Sequence, residues 1–161
     1  MDLSQAGAAF TTAEEGGGFA TVYHDQSALP TVGVGHLLTK SELTSGKINI
    51  RNILFPWEEG LSPAAIAALF EQDMSAVAAA VTAAVKVPLT QAQFDVLCDF
   101  TFNCGVDAFM HSTLLKLLNQ GDYAAVPGQL RRWVYSKGQR LPVLAARRER
   151  EIALWKGESV P

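Results

Sequence analysis

The segment Glu15–Thr39 gathers the side chains of this chain that are equipped for chemistry. It reads EGGGFATVYHDQSALPTVGVGHLLT and holds two carboxylates, Glu15 and Asp25, then Thr31, then a Gly33-Val34-Gly35-His36 turn. Two acids beside a small hydroxyl suit hydrolysis of a glycosidic bond. One carboxyl group must protonate the leaving oxygen while a second stays charged, to activate a water or to stabilise an oxocarbenium-like centre. Glu15 ends an apolar helical stretch, where partial burial favours a protonated acid. Asp25 lies in a polar turn, where backbone donors favour an ionised one, and Thr31 offers a hydroxyl to orient the water. Most acid pairs ten residues apart are merely exposed, so the pair alone is a weak signal and a polar hairpin without activity stands as the alternative.

The elements that must position these groups are readable from punctuation. Residues 3–15 predict a short helix with Leu3, Ala6 and Phe10 at helical spacing, ended by Gly16-Gly17-Gly18. The β-prone runs Phe19–Tyr23 and Thr31–Val34, with a turn region Gln26–Pro30 between them, predict a small antiparallel sheet. Residues 40–60 have no clear period, and their apolar cluster Ile53, Leu54, Phe55 and Trp57 is expected to cover the sheet. Helices follow. Ser62-Pro63 opens one that runs to about Val85, Thr90 caps the next, and Asn103-Cys104-Gly105 stops it. Ser112 starts a central apolar helix. Gly121-Asp122 closes one helix and caps another, which Pro127-Gly128 interrupts. Gln129–Tyr135 continues the helical pattern, and Pro142 opens the last helix, with Leu144, Arg148, Ile152 and Trp155 on one stripe. The sum is an α+β chain: a small antiparallel sheet lobe over about 16–60, and a larger helical lobe over about 61–157 plus the N-terminal helix, forming one catalytic domain.

Composition narrows the partners. The chain has 161 residues, 48% apolar and 18% charged, enough for a substantial core. Its net charge of −3 hides an asymmetry: residues 1–120 carry 5 basic and 12 acidic side chains (−7), and residues 121–161 carry 8 and 4 (+4). A basic tail suits contact with an anionic polymer. No basic stripe interleaved with aromatics appears, so nucleic acid is not expected as a partner. Cys98 and Cys104 form no CxxC, the three histidines have no ligand spacing, and neither metal nor cofactor is expected. Both thiols are expected to be free. No 18-residue apolar run and no signal peptide are seen, so no stable membrane association is expected, and a monomer is.

Several ordered motifs then carry a resemblance. Tyr23-His24-Asp25, five residues, Thr31 and Val32-Gly33-Val34-Gly35-His36-Leu37-Leu38-Thr39 resemble the catalytic core of the phage-type lysozymes, which include the lambdoid phage endolysins. Leu69-Phe70-Glu71-Gln72-Asp73, Gln93-Phe94-Asp95, Phe102-Asn103-x-Gly105, Ser112-Thr113-Leu114-Leu115, Trp133 and Arg147-Arg148-x-Arg150-Glu151 resemble that family's helical lobe. The likeness covers about residues 10–157. It implies a lysozyme-like fold and a muramidase that cuts the β-1,4 bond between N-acetylmuramic acid and N-acetylglucosamine in peptidoglycan, with inversion. Glu15 would be the general acid, and Asp25 with Thr31 would direct the water.

Tyr23 and Asn103 are the substrate-contact candidates. Tyr23 is equally a sheet residue, and for Asn103 helix capping is the leading reading. His36 and Asp73 would form a structural ion pair that raises the histidine pKa and joins the two lobes. The implied setting is phage lysis, with accumulation in the host cytoplasm and release to the wall. A lytic transglycosylase, an antibacterial effector and a non-catalytic wall-binding relative are the alternatives. One departure stands out: the family places eight residues between the glutamate and the aspartate, and this chain has nine. An insertion in Gly16–Gly18 accounts for it, and Glu14 is the competing acid.

Overall fold

The computed structural model describes residues 1–25 and 28–159, so Gln26 and Ser27 of the expected turn lie outside the described residues. Thr11–Ser75 forms one compact unit, and the chain on either side of it forms a second. The division falls inside two helices, α1 (Gln5–Glu14) and α3 (Pro63–Ala84).

In the first unit, β1 (Phe19–His24), β2 (Pro30–Gly33) and β3 (His36–Leu37) form an antiparallel sheet in that order. The segment without a readable period resolves into α2 (Lys40–Ser45) and a hairpin of β4 (Lys47–Ile50) and β5 (Ile53–Pro56). Thr39 and Glu42 form a capping box that starts α2. In β4 the alternation is plain: Ile48 and Ile50 are buried, Lys47 and Asn49 exposed. Val32, Leu38, Ile48, Ile50, Leu61, Ala65 and Leu69 build this unit's core, with Phe55 and Trp57 packed against it. Gln72 of α3 holds the hairpin by accepting from the Arg51 N–H (2.9 Å) and donating to the Asn49 carbonyl (3.0 Å).

The second unit is helical: α4 (Gln91–Cys104), α5 (Val106–Met110), α6 (Thr113–Leu118), α7 (Val126–Leu130) and α8 (Pro142–Trp155). Thr90 with Gln93 makes the capping box of α4, and Ser112 caps α6 by accepting from the Leu115 N–H. Two expectations change here. Pro127 sits in the first turn of α7, where its missing N–H costs nothing, rather than interrupting a helix. The helical pattern expected through Tyr135 stops at Leu130, and β6 (Tyr135–Ser136) pairs with β7 (Gln139–Arg140). Lys137 and Gly138 turn the chain at φ 49° and 79°, the left-handed pair that a two-residue hairpin demands.

Among the described residues α3 is one helix long and apolar enough, by length and composition, to cross a membrane. It holds no unbroken 18-residue apolar run, because Glu71 and Asp73 interrupt its alanine-rich sequence.

α4 and α8 meet through buried charge. Arg147 forks onto Asp99 at 3.0 and 2.8 Å. Arg148 is fully buried, with Nη2 donating to Asn103 Oδ1 (2.8 Å) and lying 2.8 Å from Glu151 Oε1, and with its guanidinium over the Phe100 ring at 5.1 Å. Burial pushes the Glu151 carboxyl well above its ordinary range; Arg148 opposes the rise and Asp99 adds to it. Removing one member of such a set strands its partner in a dry interior. Arg148→Ala is expected to cost roughly 3–5 kcal/mol in urea unfolding. Arg131→Ala, which breaks only the exposed pair to Glu149, is expected to leave the midpoint nearly unchanged.

Candidate active site

All three candidate catalytic residues fall within Thr11–Ser75. Glu15 is the residue after the last turn of α1, and the helix end fixes its backbone. The Gly16 N–H donates to the Ala13 carbonyl (3.1 Å) and the Gly17 N–H to the Thr12 carbonyl (2.9 Å), the paired closure of a Schellman motif. That closure needs a left-handed residue after the cap, and Gly16 supplies it at φ 76°, followed by Gly17 at 93°.

Asp25 follows β1 and is held by its own turn. Its N–H donates to the Leu29 carbonyl (3.0 Å), and its Oδ1 accepts from the Leu29 N–H (2.8 Å). Thr31, buried on β2, donates its hydroxyl to the same Leu29 carbonyl (3.0 Å). The Leu29 residue therefore ties Asp25 and Thr31 together. Because the Thr31 proton is committed to a carbonyl, that hydroxyl oxygen presents lone pairs and can accept from a water.

Tyr23 is the cross-strand partner of Thr31. Its half-buried ring leans on Phe19 with centroids 4.5 Å apart. Burial pushes the phenol pKa up, the negative charge of Glu15 pushes it further, a Gly35 N–H donated to the phenol oxygen opposes this, and Asp25 adds a last upward push. The phenol pKa is therefore raised by burial first and by the two carboxylate charges after it. Gly35 can aim its N–H there because the Val34-Gly35 turn joins β2 to β3, with Gly33 and Gly35 at φ 64° and 67°.

His36 opens β3, with Nδ1 2.8 Å from Asp73 Oδ2. Sequence reasoning missed a second partner: Nε2 lies 3.3 Å from both carboxylate oxygens of Glu42. The Thr39-x-x-Glu42 capping signature was the signal that would have put this acid in place. Burial works against the charged ring, but Asp73 and then Glu42 outweigh it, so the His36 pKa rises. The Glu42 pKa falls: burial opposes ionisation, while the Thr39 donors and then the imidazolium favour it more strongly. Asn103 lies in the other unit, its carbonyl oxygen engaged by Arg148. Among the described residues no group of three or more His, Cys, Asp or Glu is arranged to hold a metal. Cys98 and Cys104 are free thiols, pushed by burial to about 12 and about 11, and thus inert near neutral pH.

A small antiparallel sheet with Thr31 on it, one acid at the end of the preceding helix and a second in the turn between its strands, together with a helix-rich unit, fits a lysozyme-like α+β glycosidase. The Phage lysozyme family pattern matches residues 13–151, and the chain belongs to that family. It is similar to the SAR-endolysin of Escherichia phage Mu (41% identical over 133 residues, 83% of this chain and 69% of that one). It is also similar to the endolysin of Salmonella phage P22 (33% over 157 residues, 96% and 98%). Among solved structures, a P22 lysozyme mutant superposes with TM-score 0.73 at 32% identity, covering 97% of this chain and 99% of that one. The chain is an endolysin-class peptidoglycan hydrolase of the lysozyme type.

The His36 contacts predict a pH dependence with a definite sign. The imidazole's contribution is complete below its unfolded pKa, about 6.5, and is lost as pH rises through the raised folded value. The Glu42 contribution is complete above its unfolded pKa, about 4.3, and is lost as pH falls through the depressed value. The full contribution therefore spans about pH 4.3–6.5. His36→Asn is expected to lose roughly 2 kcal/mol in that window, with the gap to the parent closing at alkaline pH, as read by thermal melts across a pH series. Equal melting of the two proteins at pH 6 would refute the pairing.

Proposed function

We propose that this chain is a muramidase that cleaves the β-1,4 bond between N-acetylmuramic acid and N-acetylglucosamine, with Glu15 as general acid. In this reading Glu15 gives its proton to the glycosidic oxygen as the bond from C1 breaks. A water seated on the Thr31 lone pairs attacks C1 from the opposite face, and its proton passes to Asp25. The sugar leaves with inverted configuration, and the aglycone leaves as an alcohol. The observation that carries the reading is the Leu29 residue, which bonds both Asp25 and Thr31 on the hairpin that follows Glu15.

Tyr23 is assigned as a platform for the sugar and Asn103, through its amide NH₂, as a contact for an N-acetyl or peptide group. No metal or cofactor takes part in the proposed steps. The protein acts as a monomer on the wall, reached from the host cytoplasm. We read α3 as a core helix rather than a span, since Leu69, Met74, Val77 and Val81 are buried.

Loss of turbidity in permeabilised Gram-negative cells tests the assignment. Glu15→Gln is expected to fall by at least about 10²-fold and Glu14→Gln to keep nearly full activity. Asp25→Asn is also expected to fall steeply. Full activity in Glu15→Gln would overturn the choice of acid. Anomer-resolved NMR of fresh products should show the α form, and an anhydro end would instead mark a transglycosylase.

A further inference from the structure

We propose that the β6–β7 hairpin is a binding site for the carboxylate-bearing stem peptides of peptidoglycan. The inference rests on the wall polymer being the substrate. Five of the eight basic side chains after residue 120 are already engaged: Arg147 with Asp99, Arg148 with Asn103 and Glu151, Arg131 with Glu149, Lys156 near Glu158 at 3.9 Å, and Arg150, which has an interaction of its own. Arg132, Lys137 and Arg140 differ. All three are exposed, and among the described residues no acidic partner accompanies them. They sit on or beside a two-residue hairpin together with Tyr135, which is 62% exposed although it is aromatic.

The hairpin presents these groups in fixed order. Tyr135 and Arg140 are direct cross-strand partners, so phenol and guanidinium stand on one face, while Ser136 and Gln139 face the other way. The strands cannot easily slip. The Lys137-Gly138 turn sets the register, the Leu141 N–H donates to the Val134 carbonyl at 2.8 Å, and Val134 is buried. Trp133 anchors the entry edge-on against Phe100 at 5.2 Å. An exposed tyrosine beside a guanidinium is a ready-made recognition pair: the ring covers apolar stem atoms and the fork takes a carboxylate.

Charge complementarity selects the occupant. Every stem peptide carries free carboxylates, and three unpaired cations on a chain of net charge −3 match a short, locally anionic ligand. A long polyanion would meet the −7 of residues 1–120 as well, which disfavours nucleic acid.

The test is co-sedimentation with purified Gram-negative sacculi, using full-length protein carrying Glu15→Gln so that the polymer persists. Adding Arg132→Gln with Arg140→Gln, or Tyr135→Ala, is expected to weaken binding about tenfold, with melting temperature unchanged and salt dependence reduced. Sacculi stripped of stems by an amidase should bind the parent as weakly as the variants. Variants that sediment like the parent would overturn the proposal. So would hairpin-dependent binding that survives stem removal or is matched by a DNA duplex. Soluble fragments released during incubation would indict the choice of Glu15, a readout separate from the bound fraction.

Discussion

The clasp of His36 between two carboxylates is the constraint on which the site-bearing sheet depends. Strands of six, four and two residues cannot hold themselves in water, since a sheet this small needs a partner face. Its buried residues are few: Thr31, Val32 and Gly33, all on β2. His36, on the shortest strand, reaches Asp73 on α3 and Glu42 on α2. Glu42 in turn caps α2 through the Thr39 N–H (2.8 Å), and its carbonyl accepts from the Trp57 indole (2.9 Å). One imidazole therefore fixes β3, α2 and α3 together, and β3 pairs with the strand that carries Thr31. A charged ring with donors on both nitrogens suits this task, because each of its N–H groups meets an acceptor-only carboxylate.

Much of this was legible in the sequence wherever a short polar side chain marks a helix start. Thr90, Ser112, Asp122 and the Ser62-Pro63 pair all precede helices, and Ser62 Oγ accepts from the Ala65 N–H at 3.2 Å. The three catalytic candidates were legible as types and order, because Asp25 and Thr31 lie on one hairpin. Two hairpins were not legible, for one shared reason. Both turn on pairs that begin with a long cationic side chain, Arg51-Asn52 at φ 50° and 67° and Lys137-Gly138, rather than the Asn-Gly or Asp-Gly that advertises such a turn. Glu42 escaped because its capping signature lies in a stretch with no hydrophobic period, so nothing drew attention to the helix it starts.

The basic tail shows how a count of charges misleads without burial. Arg148 lies on the apolar stripe with Leu144, Ile152 and Trp155, and four-residue spacing carries it into the interior with them. There its charge is met by Asn103, Glu151 and the face of Phe100, so it adds nothing to the surface field. The excess positive charge that reaches solvent contracts to the β6–β7 hairpin and its approach. A contact surface read from the tail as a whole becomes a site of a few named residues.

The extra residue between Glu15 and Asp25 is best judged by what it would cost to absorb it in different places. Lengthening a loop of about ten residues by one costs about 0.1 kcal/mol in closure entropy. Moving Glu15 off the end of α1 would break the two capping bonds from Gly16 and Gly17, roughly 1–3 kcal/mol together. The chain offers two cheap places for the surplus. Gly17 continues the left-handed backbone after the cap at little steric cost. β1 also advances four residues from Phe19 to Tyr23 while β2 advances two from Gly33 to Thr31, so the sheet already carries surplus residues on the edge leading to Asp25. Energetically the loop and the bulge take up the length before the helix end yields. In this chain Glu15 is held at the end of α1 and Asp25 in its turn.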